Sequence, residues 1–357
     1  MPDKKNKVDK KTWIIRILQI LEHYSDKDHG LSVARIVELL EKDYEIRADR
    51  KTVRRTLEEL EKLDYKRIKC NETMTRKNKN GEEETLRTGW YVVGSFDETE
   101  LRLLVDCLAF AKHIYKKQKK QLIEKIESLS GTHFAKQIKH IKTLDGNEPQ
   151  NAEIFTSIEV INEAIESGKK ITFQYCDYGT DKKLHPRADS YGVAKLYEVN
   201  PYQMVWTNGR YYLLANSDKH DDLVHFRIDR IKKAEISAYP VKPYQLVEGM
   251  REGLDLPKHM AEHIYMFGGE SGMVTFTAKK DIINDIIDWF GTGVRFWNET
   301  KDEINVSVRV NYHAMKYWAM QYGHHVTVTS PPSLVEKIRD ELTAAAEKYK
   351  SKGEGIV

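Results

Sequence analysis

The sequence predicts a multidomain α+β protein, because three kinds of hydrophobic pattern follow one another along its 357 residues. Apolar residues at helical spacing come first, together with two extended stretches joined by an Asn-Gly turn. Short aromatic and β-branched runs follow between 171 and 238, and strands alternate with helices from 272 to 350. This length indicates two or three domains. We place the segments at 1–95, 96–150, 151–240, 241–271 (a linker) and 272–357.

The composition excludes several classes of protein. Hydrophobic residues make up 40% of the chain and aromatic residues 10%, which is enough for globular cores and excludes wholesale disorder. There is no long apolar run that could span a membrane, and the charged start lacks the apolar region of a signal peptide. The 3 cysteines are too few and too scattered for a disulfide framework. We therefore expect a soluble, cytoplasmic protein without a membrane partner.

The first ninety-five residues predict three helices followed by a hairpin. Ser32 and Asp49 are suitable N-caps for the second and third helices. The third helix has the apolar stripe Val53, Leu57, Leu60 and Leu63. The extended stretches 68–76 and 85–93 then flank 77–81, whose Asn-Gly pair is a strong hairpin-turn signal.

The segment 96–150 predicts a helical connector. Asp97 and Glu100 have the spacing of a capping box, and the apolar stripe that follows is Leu101, Leu104, Leu108 and Ala111. Residues 112–142 carry nine Lys against two Glu. This local excess suits an acidic partner, and it equally suits a solvated helix face.

The remaining chain predicts two β-containing domains. Four short strands at 171–175, 197–206, 211–216 and 223–228, with a tight Asn-Gly turn at 208–209, favour a small barrel or sandwich. The C-terminal part predicts helices packed on an antiparallel sheet. Its strands are expected at 273–277, 304–310 and 325–329, and its helices at 281–290, 314–322 and 334–349.

The sequence offers one motif with the spacing of a metalloenzyme. Residues 259–263 (HMAEH) match the pattern H-x-x-E-H, and on a helix His259 and His263 would share one face, with Glu262 as a base. No third ligand can be identified, and neither a phosphate-binding loop nor a dinucleotide fingerprint occurs. We therefore predict no enzyme activity, catalytic residue, metal or cofactor.

The N-terminal segment predicts DNA binding. The third helix begins with a set of polar and basic residues that could read bases in a major groove: Arg50, Lys51, Thr52, Arg54 and Arg55. Arg76, Lys77 and Lys79 at the hairpin tip could neutralise phosphates. An ordinary solvated helix is the alternative, and Glu58 and Glu59 favour it for the second half of the helix.

Several segments together resemble one family of regulators. Residues 53–60 (VRRTLEEL) resemble the recognition helix of DeoR-like winged helix-turn-helix regulators. Residues 208–214 (NGRYYLL) and 225–231 (HFRIDRI) resemble the core of a WYL domain, with Tyr211 where the family signature has Trp. Residues 272–350 are similar to the C-terminal extension called WCX.

The resemblance implies a winged helix-turn-helix, a helical connector, a WYL domain built as an Sm-like β-barrel, and a C-terminal α+β WCX domain. It implies a transcription regulator, which we expect to be a repressor that binds double-stranded operator DNA as a homodimer. The WYL domain is expected to bind a nucleic-acid or nucleotide effector. Rival interpretations are a metal-dependent DNA-processing enzyme and an RNA-binding module.

The expected effector site lies around the strand at 223–228. Strand alternation places Val224, Phe226 and Ile228 on one face, so that His225, Arg227 and Asp229 share the other, polar face. Arg227 could bind a phosphate and Tyr212 could stack on a base. The resemblance adds Tyr175 and Tyr202, and Arg230 lies just past the strand. Alternatively, Arg227 pairs with an Asp or Glu at a domain interface, and Arg230 makes a barrel-closing ion pair with Asp229 or an inter-domain contact. Tyr175 and Tyr202 could equally be core aromatics.

Overall fold

The computed structural model describes residues 10–64, 67–77, 83–111, 114–129 and 151–350. Its contacts divide the chain into two compact units, Met1–Glu148 and Pro149–Val357. Both helices and antiparallel sheets are present, so the predicted mixed α+β multidomain class is confirmed at this level. Among the described residues, no helix has the length and apolarity that crossing a lipid bilayer requires.

The first unit begins with three helices and a two-stranded hairpin. These elements are α1 (Lys10–Tyr24), α2 (Val33–Tyr44), α3 (Arg50–Lys62), β1 (Ile68–Lys77) and β2 (Glu83–Val92). The side chains of Ser32 and Asp49 cap α2 and α3 as predicted, since each accepts a bond from a first-turn backbone N–H. Leu63 was wrongly placed in the buried stripe of α3: it follows the last helical turn and is 75% exposed.

Backbone pairing fixes the base of the hairpin against the helices. β1 and β2 pair antiparallel from Ile68↔Val92 to Lys77↔Glu83. Of the predicted turn at 77–81, residues 78–81 lie outside the described residues. Leu31 adds a short third partner, because its N–H and C=O both bond Trp90 at 2.8 Å. A Cβ on Gly30 would lie 2.5 Å from the backbone of Gly89, so this close approach requires glycine.

The connector contains α4 (Glu98–Phe110) and α5 (Lys116–Glu127), and the capping box of Asp97 and Glu100 is present. The predicted stripe is partly wrong, because the buried residues of α4 are Leu101, Val105 and Ala109. Leu104 is 39% exposed. The cause is that α4 packs mainly against Ile123 and Ile126 of α5, and one narrow i, i+4 row suffices for a helix pair. The Gly, Pro and Asn residues of 144–152 predict a linker, of which residues 144–150 lie outside the described residues.

The second unit opens with a helix and a six-stranded antiparallel sheet. The elements are α6 (Ile154–Ser167), β3 (Lys169–Tyr178), β4 (Leu184–Pro186), β5 (Leu196–Thr207), β6 (Arg210–Asn216), β7 (Leu223–Arg227) and β8 (Ile231–Pro240). The sheet order is β4-β3-β5-β6-β7, and β8 pairs with β3. The turn at Asn208 and Gly209 has positive φ at both residues, 50° and 69°, as its Asn-Gly pair predicts.

The final part of the chain places helices on a four-stranded antiparallel sheet. The elements are α7 (Leu256–Glu262), β9 (Ser271–Lys279), α8 (Ile283–Phe290), β10 (Arg295–Trp297), β11 (Glu303–Asn311), α9 (Tyr312–Gln321), β12 (Val326–Ser330) and α10 (Pro332–Lys350). The sheet order is β10-β11-β9-β12, and Trp318 and Phe276 lie in its core. The predicted order of three strands and three helices is present, with β10 and α7 in addition.

Candidate nucleic-acid and ligand sites

The start of α3 exposes most of its predicted basic side chains. Val53, Leu57 and Leu60 are buried and therefore define the inner side of the helix. Arg50 and Lys51 lie exposed at the first turn. Thr52 stabilises the start of the helix, because its backbone N–H and its hydroxyl both donate hydrogen bonds to the Asp49 carboxylate. These bonds lower the pKa of Asp49.

The two remaining arginines of α3 differ in their surroundings. Arg55 is 77% exposed and lies 3.5 Å from the Glu59 carboxylate one turn later. Arg54 is half-buried on the flank of the helix. An exposed i, i+4 ion pair contributes less than about 1 kcal/mol. The Arg55 guanidinium can therefore exchange Glu59 for another anion at low cost.

The hairpin carries the predicted cations near its tip. Arg76 and Lys77 lie at the end of β1, where the backbone register places their Cα atoms opposite those of Glu84 and Glu83. Lys79 lies outside the described residues. The predicted DNA-binding residues that the structure describes therefore lie in two places, at the start of α3 and at the outer end of β1.

Sequence patterns missed the contact that joins this hairpin to α3. Arg87 of β2 forms a two-bond ion pair with Glu61 of α3, and its guanidinium also lies 5.1 Å from the ring centroid of Trp90. The Glu61 bond raises the pKa of Arg87. Because Trp90 is fully buried, this arrangement fixes β2 against the C-terminal half of α3.

In the second unit, an ion pair occupies the centre of the expected effector site. The Arg227 guanidinium bonds both oxygens of Asp229, at 3.0 Å from Nε and 2.6 Å from Nη2. The two side chains are 16% and 7% exposed. Tyr175 is also buried here, and its hydroxyl oxygen accepts a bond from the Arg227 N–H. Burial raises the pKa of this phenol.

Two further arginines surround the same tyrosine and its neighbour Asp177. Arg187, which sequence reasoning missed, lies over the Tyr175 ring at 4.9 Å and bonds Asp177 at 2.7 Å. Arg230 reaches the same carboxylate at 3.2 Å. The Arg187 bond holds the pKa of Asp177 below its ordinary value. This arginine cluster, Arg187, Arg227 and Arg230, contacts two carboxylates and so carries net positive charge.

The expected polar face of β7 is wrong for Asp229. The strand ends at Arg227, and residues Ile228–Arg230 form a 3₁₀ turn. Strand alternation therefore no longer applies to Asp229, which instead folds back to bond the side chain of Arg227. The expected inner face is confirmed, because Ile228 is buried in the hydrophobic core of this domain and Val224 and Phe226 pack against it.

The second face of β6 and β7 is covered by protein. Tyr212 lies opposite Arg227 in the ladder but is only 7% exposed, within a cluster that includes Val205, Leu214 and Met266. Tyr202 lies in another cluster, against Leu223, where its hydroxyl donates to the Lys242 carbonyl and burial raises its pKa to about 12. Tyr202 therefore does not join the arginine cluster.

His225 also lies apart from the arginine cluster, because it contacts two histidines of α7 and its C-terminal end. Its Nε2 is 2.8 Å from Nε2 of His259, and the His259 and His263 rings stack at 4.3 Å. Burial lowers the pKa of all three imidazoles, to about 3 for His225 and about 4 for His259. The third histidine that the H-x-x-E-H motif lacked in sequence is thus His225.

Family models match two segments of the chain. A WYL domain model matches residues 156–236, and a WCX domain model matches residues 274–346. The chain carries a WYL domain followed by a WCX domain. The resemblance expected from residues 208–214, 225–231 and 272–350 is thereby confirmed.

The WYL domain explains the roles of its two motif segments. Tyr211, where the signature has Trp, is half-buried beside Trp206 at a ring distance of 5.6 Å. In the segment 226–231, Phe226, Ile228 and Ile231 pack in the domain core. Its charged members form the ion pairs described above.

Comparisons with whole proteins are more distant. One matching solved structure is Proteasome accessory factor B/C (PafBC) of Arthrobacter aurescens, at 16% sequence identity and a TM-score of 0.28. Another is a CRISPR Cas-related protein, at 14% sequence identity and a TM-score of 0.35. Each match covers 98% of this chain, with 52% of the PafBC chain and 89% of the other. This chain thus spans about half the length of PafBC. The comparison with curated proteins gives no match.

Proposed function

We propose that this WYL-domain protein is a transcription regulator that binds duplex DNA through α3 and the β1–β2 hairpin, used together as a winged helix-turn-helix. The observation that carries the proposal is the solvent-exposed position of Arg50, Lys51 and Arg55 at the start of α3, away from its buried stripe. A major groove admits one such helix, and an arginine can bond guanine N7 and O6 together.

The hairpin supports this use of α3. The ion pair of Arg87 with Glu61 fixes β2 on the helix, so the outer end of β1 keeps a defined position beside it. Phosphate contacts from Arg76, Lys77 and Lys79 would then set the register of α3 on the duplex, while α3 reads the bases.

We further propose that the arginine cluster binds an anionic effector, a nucleotide or short nucleic acid, on a WYL domain folded as an Sm-like barrel. Three guanidiniums supply donors in the fork geometry that suits phosphate. Arg187 covers the Tyr175 ring, and the exposed ring of Tyr178 lies 6.0 Å from Arg230 and could stack on a base. Of the predicted effector residues, Arg227, Arg230 and Tyr175 belong to this proposal.

Repression and dimer formation belong to the same proposal. One α3 helix offers few base contacts, so specific binding favours two copies on a symmetric operator. We propose no enzyme activity, because Glu262, the base a metalloenzyme of the H-x-x-E-H type would need, is bound by Arg309 at 3.1 Å.

A DNA titration tests the proposal. The full-length protein first selects fragments from its source genome, and binding of a selected duplex is then followed by fluorescence anisotropy. Arg55→Ala should weaken binding by about 1–3 kcal/mol, or roughly 5- to 150-fold, if it reaches a base. Lys77→Ala should weaken binding to all sequences and lower the salt slope by about 1.

Arg102→Ala is the matched control, since Arg102 forms a similar exposed i, i+4 pair with Asp106 on α4. It should bind the duplex like the parent. Equal affinities of the parent and an Arg50→Ala/Arg55→Ala double variant would refute the assignment of α3. Tighter binding of single-stranded RNA than of the duplex would favour an RNA-binding module instead.

A further inference from the structure

We propose that His225, His259 and His263 form a binding site for one divalent transition-metal cation of the zinc class. The site joins β7 of the WYL domain to α7, in the segment between the WYL and WCX domains. It is independent of the proposed DNA and effector sites.

The three rings already converge on a common point. One ring nitrogen of each histidine lies within 4.8 Å of the other two, and the His225–His259 pair is at 2.8 Å. Zn–N bonds of about 2.0–2.1 Å in a tetrahedral site separate the ligand nitrogens by about 3.4 Å. A small outward shift of the His225–His259 pair, from 2.8 Å, would therefore admit the ion.

The helix positions two of the ligands. His259 and His263 are four residues apart, and Asp255 caps α7 by accepting a bond from the Lys258 N–H. Nδ1 of His263 lies 2.7 Å from the Phe267 carbonyl oxygen, so Nδ1–H must donate a hydrogen bond to that oxygen. The lone pair of Nε2 is then available to a metal ion. A bond of this kind orients histidine ligands in metal sites.

The surroundings favour neutral imidazole ligands over charged ones. The segment that contains α7 packs on β5 and β6 beside the site, through Leu256, Met260 and Met266. Each of the three histidines is at least half-buried. Neutral histidines are the form that binds a metal. The Glu262 carboxylate adjoins His263 and would offset part of the ion's charge through space, while its bond to Arg309 keeps it out of the ligand set.

Three imidazoles leave one position of a tetrahedral ion for water or another ligand. The chemistry of the donors selects zinc, cobalt, nickel or copper over magnesium and calcium, which prefer oxygen. Because His225 and His259 are 34 residues apart in sequence, the ion would also cross-link the segment that precedes the WCX domain to β7. Metal binding should therefore stabilise this part of the chain.

Metal titration of the full-length protein tests the site. Protein stripped with a chelator is titrated with Zn(II) in competition with a chromophoric chelator, and with Co(II) while visible absorption is recorded. About one equivalent should bind, with ligand-field bands of a four- or five-coordinate cobalt site. Loss of an outer partner costs about 10–100-fold in metal affinity, so His259→Gln should lower it by at least about 100-fold.

His324→Gln is the control, because His324 is an exposed histidine in the same unit and should leave the affinity unchanged. Circular dichroism establishes folding, and His263→Gln replaces His259→Gln if the latter does not fold. Zinc should also raise the melting temperature of the parent and of His324→Gln. The proposal is overturned if the parent protein takes up no metal at micromolar free Zn(II). It is also overturned if His259→Gln and His263→Gln both bind zinc with the affinity of the parent. In either case the three rings are a hydrogen-bonded cluster of the core.

Discussion

Removal of Asp229 should destabilise the WYL domain far more than removal of an exposed carboxylate. Asp229 is 7% exposed and bonds Arg227 through both oxygens, while Arg227 itself is only 16% exposed. In Asp229→Ala the guanidinium would keep its charge in a largely desolvated position. Breaking a buried pair in this way costs about 3–5 kcal/mol, because the remaining charge has no compensation.

The structure supplies a matched control for this change. Asp221 pairs with Lys242 at 3.5 Å but is 86% exposed, so Asp221→Ala should cost less than about 1 kcal/mol. A second comparison removes both charges. Arg227→Met/Asp229→Leu should recover most of the lost stability, because well-packed apolar residues often replace a buried pair without loss.

Hydrogen exchange read by mass spectrometry measures the effect where it occurs. Peptides that cover β6 and β7 report the free energy of local opening in the full-length protein. At 1.4 kcal/mol for each factor of ten, Asp229→Ala should speed exchange in these peptides by about 100- to 3000-fold. The Asp221→Ala control should stay within about 5-fold of the parent.

Equal exchange in the two single variants would refute this reasoning. It would mean that the ion pair of Arg227 is no stronger than a solvent-exposed pair, and that Arg227 is free to serve a ligand at no cost. If Arg227→Met/Asp229→Leu is less stable than Asp229→Ala, the uncompensated charge of Arg227 does not explain the stability that Asp229→Ala loses.

Two further predictions concern the other ion pairs. Glu61→Ala removes the partner of Arg87 and should lower the stability of the first unit by about 1–3 kcal/mol, measured by exchange in β2 peptides. For Asp177, Arg187 depresses the folded-state pKa, so its stabilisation is complete above the unfolded value near 3.8 and is lost as the pH falls through the folded value. Urea unfolding should therefore show Asp177→Asn less stable than the parent by under about 1 kcal/mol at pH 7, with no difference below the folded pKa. A constant difference at all pH values would contradict this assignment.

Local sequence signals predicted much of the fold because their physics is local. The caps Ser32, Asp49 and Asp97 satisfy backbone groups within three residues, and the Asn208–Gly209 turn depends on its own φ angles. The helix α6 was not predicted, although Ile154, Ile161 and Ala164 are buried at near-helical spacing.

The candidate sites were less predictable because they depend on pairing between distant segments. Arg187 reaches Tyr175 only because its own backbone N–H bonds the Tyr175 carbonyl, at 2.9 Å, beside β3. His225 meets His259 only because the segment before the WCX domain folds back over β6 and β7. Neither sequence separation nor residue type distinguishes these residues from exposed ones such as His324.

The errors at β7 have two physical causes. Strand alternation assigned His225, Arg227 and Asp229 to a single exposed face, which requires the strand to continue and its second face to meet solvent. The 3₁₀ turn at Ile228–Arg230 violates the first condition, and the cover by Met260 and Met266 violates the second. Period-two patterns predict which residues alternate, but they do not predict where a strand ends or what covers it.

The ion pairs of the arginine cluster limit how a proposed effector could bind there. Asp177 occupies both Arg187 and Arg230, and Asp229 occupies Arg227. A phosphate must therefore displace a carboxylate, and the two carboxylates differ in exposure, 49% for Asp177 against 7% for Asp229. Displacing Asp177 costs an exposed pair, worth less than about 1 kcal/mol, whereas displacing Asp229 breaks a buried one. An anion should therefore take Arg187 and Arg230 first, and Arg227 would hold β7 and the following turn in place while it does so.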